Sequence, residues 1–260
     1  RRSRGVRCSG TAGASSSCQC PAVDVAERSL VCHAPRALSK VIKVVLRRLA
    51  GERDPRRMAA TLSCPPPGLT LLTDLEPAAA GVVLESPLWR RATFLRDPFA
   101  RVASLFDVRD SLARLDATNG VVPDSFDAFV RAVAATRDDD ADEHVASQSA
   151  LCGLGRVAYD DLGYWPADEP ASRNAAPWLG RLCERRGVDE AVCAGELGYD
   201  LCAAVDADAD VPAACRGWGG DVAAARFSDP VLYDLIAQRY RDDIAFLRAR
   251  GLPVLARPAG

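Results

Sequence analysis

Two stretches of this chain share one pattern, a short apolar run followed by a turn and then by apolar residues at helical spacing. In the first, residues 29–33 form the apolar run, Pro35 ends it, and a helix is expected over 39–50. In the second, the run covers 91–95 and a helix begins at 98, with proline in an early position where it is tolerated. Strands that alternate with helices are typical of an α/β domain whose mostly parallel sheet is flanked by helices.

The pattern adds further elements to this domain. It predicts a helix over 125–134, a third strand over 157–162, a loop over 165–178 and a long amphipathic helix over 230–250.

The length of 260 residues suits one domain, which we assign to residues 25–260. Residues 1–24 are rich in Arg, Ser, Gly and Cys without periodicity, and we interpret them as an N-terminal arm or linker. Residues 166–226 hold several cysteines and glycines, and we interpret them as a divergent, cysteine-rich excursion inserted in the domain.

Ten cysteines are a high and even number for a chain of this length. The closest pair, Cys18 and Cys20, lacks the spacing of a zinc knuckle, and neither histidine lies near a cysteine pair. We therefore expect disulfides, formed in an oxidising compartment, rather than thiols or a metal site. A net charge of −2 gives no global field that would attract nucleic acid. No apolar run is long enough to span a membrane, so we expect any targeting anchor to lie outside this chain.

Both turns lie at the carboxyl ends of strands, where ligands bind in sheets of this class. The first turn offers Arg36, Ser39, Lys40 and Lys43 around the start of a helix, and these donors suit a phosphate or sulfate group. It lacks the glycines and the Gly-Lys-Ser/Thr ending of a Walker loop. The alternative is a solvated helix start with ordinary surface bases.

The second turn places Arg96 at the end of a strand and Ser104 on the following helix. An arginine forms bidentate, charge-assisted hydrogen bonds with phosphate, and a serine hydroxyl adds another. Asp97 can cap the helix while Pro98 shapes its first turn, and Arg101 either lines the same rim or pairs with Asp97. The alternative is a structural salt bridge beside a capped helix.

Residues 96–104, Arg-Asp-Pro-Phe-Ala-Arg-Val-Ala-Ser, resemble the R-D-P-F-x-R-x-x-S motif of Golgi carbohydrate sulfotransferases, in particular the chondroitin, dermatan and HNK-1 group. Further stretches follow the family's order: 35–46 resembles P-K-x-G-(S/C)-T-x-x-K-x-x-L, 125–130 resembles S-F-x-x-F-(V/I), 143–152 with 159–163 resembles E-H-W-x-x-Q-x-x-L-C…Y-D-x-I-G, and 233–246 resembles I-x-x-x-Y-x-x-D-(F/I). Several motifs in one order are more specific than any motif alone.

The resemblance implies a P-loop-like sulfotransferase fold and the transfer of a sulfuryl group from PAPS to a glycan hydroxyl, with release of PAP and no metal. In that family the R-D-P-F motif binds the 3′-phosphate of PAPS, and the earlier segment holds the 5′-phosphosulfate. Carried over, Arg36 stabilises the leaving oxygen, and the residues that bind the donor are Arg36, Ser39, Lys40, Lys43, Arg96 and Ser104. The family also implies a type II membrane protein of the Golgi lumen or secretory pathway.

A general base must take the proton of the acceptor, and histidine is the side chain best suited near neutral pH. His144 lies in the family-like E-H-x-x-x-Q run, and we favour it over His33, which adjoins the first turn. Glu85, just before the second strand, is a third candidate.

Some family positions differ in this chain. Arg36, Leu38 and Lys40 replace a lysine, a glycine and a threonine, and Val145 and Gly155 replace a tryptophan and a cysteine. Leucine adds bulk where backbone would approach the phosphosulfate. Two other hypotheses therefore stay open: a weakened or inactive sulfotransferase-like protein that binds a nucleotide or a glycan, and an unrelated nucleotide-dependent phosphotransferase.

Overall fold

The structure is a computed structural model that describes residues 21–37, 39–49, 51, 69–107, 123–139, 141–168, 171–185, 187 and 220–259. The strands in chain order are β1 (Ala22–Asp24), β2 (Ser29–His33), β3 (Thr70–Leu71), β4 (Arg90–Arg96) and β5 (Asp161–Trp165). The described helices are α1 (Ser39–Leu49), α2 (Pro77–Glu85), α3 (Pro98–Asp107), α4 (Phe126–Ala135), α5 (Gln148–Cys152), α6 (Ala171–Glu184), α7 (Gly220–Arg226), α8 (Pro230–Arg239) and α9 (Arg241–Ala249).

These elements form an α/β fold around one five-stranded mixed sheet, in the order β3-β1-β2-β4-β5. Strands β2, β4 and β5 are parallel, whereas β1 is antiparallel to both of its neighbours. The sequence predicts a mostly parallel sheet, and this holds for the three strands β2, β4 and β5. The difference comes from β1, which lies in the stretch assigned to an arm and reaches β2 through a short turn that can join only antiparallel strands.

The two strand-turn-helix units predicted from the sequence are confirmed. Strand β2 and helix α1 form the first unit, and β4 with α3 forms the second. Because β2 and β4 pair in parallel with His33 opposite Phe94, both turns leave the same edge of the sheet. Residues 92–96 are buried without alternation, as expected for a strand covered on both faces.

Three predicted elements differ in the structure. The third strand runs from Asp161 to Trp165, later than predicted, because its pairing with β4 begins only at Asp161, opposite Ala92. The prediction of a loop over 165–178 is wrong from residue 171 onwards, because α6 begins there. The buried Trp178 of α6 packs against Phe94. The remainder of the cysteine-rich stretch, 188–219, lies outside the described residues.

The long helix predicted over 230–250 is instead two helices that meet at Tyr240. The backbone of Tyr240 leaves helical geometry at φ −108° and ψ 29°, and the buried hydroxyl of Tyr240 donates to the carbonyl of Val145. A tertiary contact therefore interrupts a pattern that is continuous in the sequence. Among the described helices, no stretch is long and apolar enough to cross a membrane.

Candidate functional site

Arg36 and Ser104 meet beyond the carboxyl ends of β2 and β4. The Nε and Nη2 atoms of Arg36 donate to the Ser104 hydroxyl at 3.0 and 2.6 Å. Arg36 has a φ of +64°, a left-handed conformation that costs a non-glycine residue about 1 kcal/mol or more. The backbone of the loop is therefore strained at Arg36, the residue whose guanidinium contacts α3.

Arg96, the last residue of β4, completes this group, and we call Arg36, Arg96 and Ser104 the donor cluster. Arg96 is 4% exposed, and its Nη1 donates to the backbone carbonyl of Arg36 at 3.0 Å. Its guanidinium lies over the ring of Trp165 at 3.9 Å from the centroid, and its buried Nε has no hydrogen-bond partner. Within the described part of the chain, no carboxylate forms an ion pair with Arg96.

The electrostatics of the donor cluster favour a bound anion. Burial, together with the neighbouring charges of Arg36 and Arg101, lowers the pKa of Arg96 to about 9, although the carboxylates of Asp97 and Asp107 act in the opposite direction. Burial also lowers the pKa of Arg36 to about 10. Both groups stay protonated near neutral pH, so two cations share a desolvated site at a cost that an anion between them would offset.

Gln148 and Asp97 hold the backbone on either side of Arg96. The side-chain amide of Gln148 accepts from Arg96 N at 3.0 Å and donates to Arg96 O at 2.8 Å. Asp97 accepts from the backbone N–H groups of Phe99 and Ala100 and thereby caps α3, as the sequence predicts, and it also accepts from Leu255 N. Sequence reasoning missed the role of Gln148, although the residue belongs to the E-H-x-x-x-Q run.

Arg101 neither lines the rim nor pairs with Asp97. It is 1% exposed and donates to the carbonyls of Pro35, Glu143, His144 and Ala146 at 2.8 to 3.0 Å. We call Arg101 with these carbonyls the carbonyl cluster. Arg101 joins the loop that carries Arg36 to the turn that carries His144. The guanidinium of Arg36 and the imidazole of His144 therefore lie on two segments that one side chain holds together.

The two histidines lie in different environments. His144 is partly exposed, and its Nδ1 lies 2.6 Å from Asp142 Oδ1. His33 is 4% exposed, and burial together with the charge of Lys43 lowers its pKa to about 3. A histidine with so low a pKa binds a proton poorly at neutral pH, so the environment favours His144 over His33 as the base.

The remaining predicted residues divide between the two ends of the sheet. Ser39 begins α1 beside the Arg36 loop, and Lys43 on the same helix acts electrostatically on His33. Leu38 and the side chain of Lys40 lie outside the described residues. Glu85 ends α2 before β4 begins, and β4 itself runs for about 20 Å, at 3.3 Å per residue, from its start to Arg96. The structure therefore does not bring Glu85 to the donor cluster.

A disulfide between Cys32 and Cys152 ties the end of β2 to α5. This confirms the expected use of cysteines as disulfides, and Cys183 is disulfide-bonded as well. Across the ranges that the structure describes, no group of three or more His, Cys, Asp or Glu side chains is arranged to hold a metal ion.

Two cavities with described walls lie away from the donor cluster. One of about 360 Å³ opens between β2, β4 and α6 beside Ser29 and Arg185, and one of about 530 Å³ lies between α5 and α9 beside Ser149 and Phe246. Neither is lined by a residue of the donor cluster. The chemistry of Arg36 and Arg96, rather than cavity size, therefore identifies the candidate site.

Comparison with protein-family models, with curated proteins and with solved structures finds no significant match to this chain.

Proposed function

We propose that this chain is a PAPS-dependent sulfotransferase that acts on a glycan hydroxyl, in the secretory pathway. The observation that carries the proposal is the donor cluster, where two guanidinium groups and a hydroxyl meet at the carboxyl edge of a parallel sheet. Arg96 there is buried with an unpartnered nitrogen. Phosphate and sulfate esters are among the anions that such planar donors recognise, and this edge is where α/β sheets bind ligands.

The sequence resemblance narrows the anion to the phosphates of PAPS. Arg96 and Ser104 occupy the positions that resemble the 3′-phosphate motif, and Arg36 occupies the position of the lysine that faces the phosphosulfate. When PAPS binds, one of its oxygen atoms replaces the Ser104 hydroxyl as the hydrogen-bond acceptor for Arg36. The Ser104 hydroxyl then donates a hydrogen bond to the 3′-phosphate. The helix start at Ser39 adds backbone N–H groups near the 5′ end.

In the proposed reaction, the acceptor hydroxyl oxygen attacks the sulfur in line, and the bond from sulfur to the bridging oxygen of PAPS breaks. The negative charge that develops on this oxygen is stabilised by Arg36. The acceptor proton passes to the imidazole of His144, which lies on the turn that Arg101 joins to the Arg36 loop. The products are PAP and a glycan sulfate ester.

The first test measures PAP binding by calorimetry in wild type and in Arg96→Ala. We expect affinity to fall about 100-fold or more, since charge-assisted hydrogen bonds to a phosphate are lost from a buried site. Arg131→Ala is the matched control, because Arg131 is exposed and pairs with Asp127 on α4. Unchanged affinity in Arg96→Ala, with the fold intact by circular dichroism, would show that the donor cluster is not the nucleotide site.

The second test separates the three hypotheses. Thermal stabilisation by PAP but not by ATP supports a sulfotransferase site over a phosphotransferase site, because only PAP carries a 3′-phosphate. Transfer of radiolabelled sulfate from PAPS to a panel of glycans then supports the enzyme. PAP binding without transfer to any acceptor would instead indicate the non-catalytic relative, for which Leu38 and Lys40 are the sequence features.

A further inference from the structure

We propose that Asp142 is a positioning residue that holds the His144 imidazole with its proton on Nδ1 and leaves Nε2 free to take the proton of the acceptor. This inference rests on the proposed function for its chemistry, but its geometric part stands without it. Asp142 is not among the candidate site residues predicted from the sequence.

The contact between the two residues decides which ring nitrogen carries the proton. The Nδ1 of His144 lies 2.6 Å from Asp142 Oδ1, and the backbone N–H of His144 donates to the same oxygen at 2.8 Å. An ionised carboxylate has no proton to give, so Nδ1 must be the donor and Nε2 must be the acceptor in the neutral ring. The tautomer therefore leaves Nε2 as the basic nitrogen.

The carboxylate of Asp142 is ionised at neutral pH. Burial raises its pKa, but the hydrogen bonds from the ring and backbone of His144 and the charges of His144 and Arg101 outweigh burial and leave the pKa below its ordinary value. Among the residues that the structure describes, Glu143 is the other carboxylate that contacts the ring, and its Oε1 lies 3.9 Å from Nδ1, beyond hydrogen-bond distance. Asp142 is thus the group that orients the ring.

The turn that carries this pair has a defined backbone. The carbonyl of Asp142 accepts from Val145 N and Ala146 N at 2.9 and 2.8 Å. Arg101 donates to the carbonyls of Glu143 and His144 and also to that of Pro35 in the loop before Arg36. One buried side chain therefore holds the backbone of the turn that carries His144 against the backbone of the loop before Arg36.

This arrangement suits a base that must gain and lose a proton in each cycle. When Nε2 takes the acceptor proton, the imidazolium that forms is stabilised by the adjacent carboxylate, which stays ionised. When Nε2 releases that proton to water, the Nδ1 hydrogen bond returns the ring to the same tautomer. No other group needs to change its protonation state.

The tautomer can be measured without any activity. The chain contains two histidines, so protein labelled with ¹⁵N-histidine shows two imidazoles, which His144→Gln assigns. At a pH where the ring of His144 is neutral, we expect two-bond ¹H–¹⁵N spectra to show a protonated Nδ1 and an unprotonated Nε2. Asp142→Ala should move this ring toward the Nε2-protonated form, whereas Asp142→Asn keeps the Oδ1 acceptor and should keep the wild-type tautomer in part.

Glu143→Gln is the matched control, because it removes the neighbouring carboxylate charge without touching the short contact. We expect it to leave the tautomer of His144 unchanged. A wild-type ring protonated on Nε2, or a spectrum that Asp142→Ala does not change in a folded protein, would overturn the proposal. This outcome is independent of whether any sulfate is transferred.

The activity arm tests the chemical part. Asp142→Ala should lower kcat about 100-fold for the acceptor that wild type uses, while PAP affinity and the KM for PAPS stay within about twofold. A fall in PAP affinity of the same size as the fall in kcat would indicate a merely structural residue and overturn the proposal. If wild type itself transfers no sulfate, the proposed function fails, and the tautomer measurement still decides the role of Asp142.

Discussion

Arg96 and Arg101 belong to one short motif and are both buried, yet the regions around them differ. In the donor cluster, Arg96 contacts a carbonyl and an aromatic ring and leaves its Nε without a partner. In the carbonyl cluster, Arg101 uses Nε, Nη1 and Nη2 on backbone carbonyls. The first arrangement is costly without a ligand, whereas the second satisfies four carbonyls and needs none. The difference separates a residue suited to binding from one suited to holding the fold.

The largest expected effect comes from the carbonyl cluster. Arg101→Met should lower the free energy of unfolding by about 4 kcal/mol, because several buried hydrogen bonds from a charged group are lost at once. Urea denaturation followed by circular dichroism measures the change, and Arg131→Ala, which removes an exposed side chain, should leave the free energy of unfolding nearly unchanged. A loss below about 1 kcal/mol for Arg101→Met would contradict the structural role and remove the contrast with Arg96.

The disulfide tests whether the donor cluster depends on a separate anchor. Replacing Cys32 and Cys152 together by alanine should lower stability by about 3 kcal/mol, because the bond closes a long loop in the unfolded chain. The variant should also bind PAP more weakly, since α5 carries the Gln148 that holds the backbone of Arg96. Equilibrium unfolding and calorimetry measure the two effects. Full stability and full affinity in the double variant would show that packing alone holds α5 in place.

His33, like Arg96, is buried and has a side-chain nitrogen, Nδ1, without a hydrogen-bond partner. Its pKa is lowered to about 3 in the folded protein, so the unfolded chain binds a proton below its ordinary value of 6.5 while the folded chain does not. The free energy of unfolding should therefore fall as pH decreases from 6.5 toward 3, by up to about 2 kcal/mol between pH 6.5 and 4.5. Parallel urea titrations of wild type and His33→Gln measure this contribution. Identical pH dependence in both proteins would contradict it.

The smallest expected effect is that of Ser104→Ala within the donor cluster. The variant removes one hydroxyl and keeps both guanidinium groups, so PAP affinity should fall about fivefold to tenfold, equivalent to about 1 kcal/mol. The free energy of unfolding should change little, because the hydroxyl contributes one hydrogen-bonding group to a partly exposed arginine. Calorimetry provides the measurement. A loss as large as that of Arg96→Ala would mean that Ser104, and not Arg96, is the main contact of the phosphate.

Local patterns of the sequence were sufficient to predict the strands and the helix start around the donor cluster. The apolar runs before His33 and Arg96 predict β2 and β4, and the Asp-Pro pair predicts the start of α3, because strand burial and helix capping depend on adjacent residues. The positions of Arg36, Arg96 and Ser104 at one edge also follow from the order of strands and helices. The break at Tyr240 and the start of α6 could not be predicted in this way, because both depend on packing against distant segments.

The sequence by itself determined the α/β class, the two strand-turn-helix units and the use of cysteines in disulfides, since these depend on periodicity, turn residues and composition. Only the tertiary structure decided that Arg101 serves carbonyls, that Gln148 holds Arg96 and that Asp142 orients His144. A hydrogen bond depends on distances of a few tenths of an ångström between groups far apart in the chain. Residue types and spacing leave those distances open, and the packing of β4, α3 and the 142–147 turn sets them.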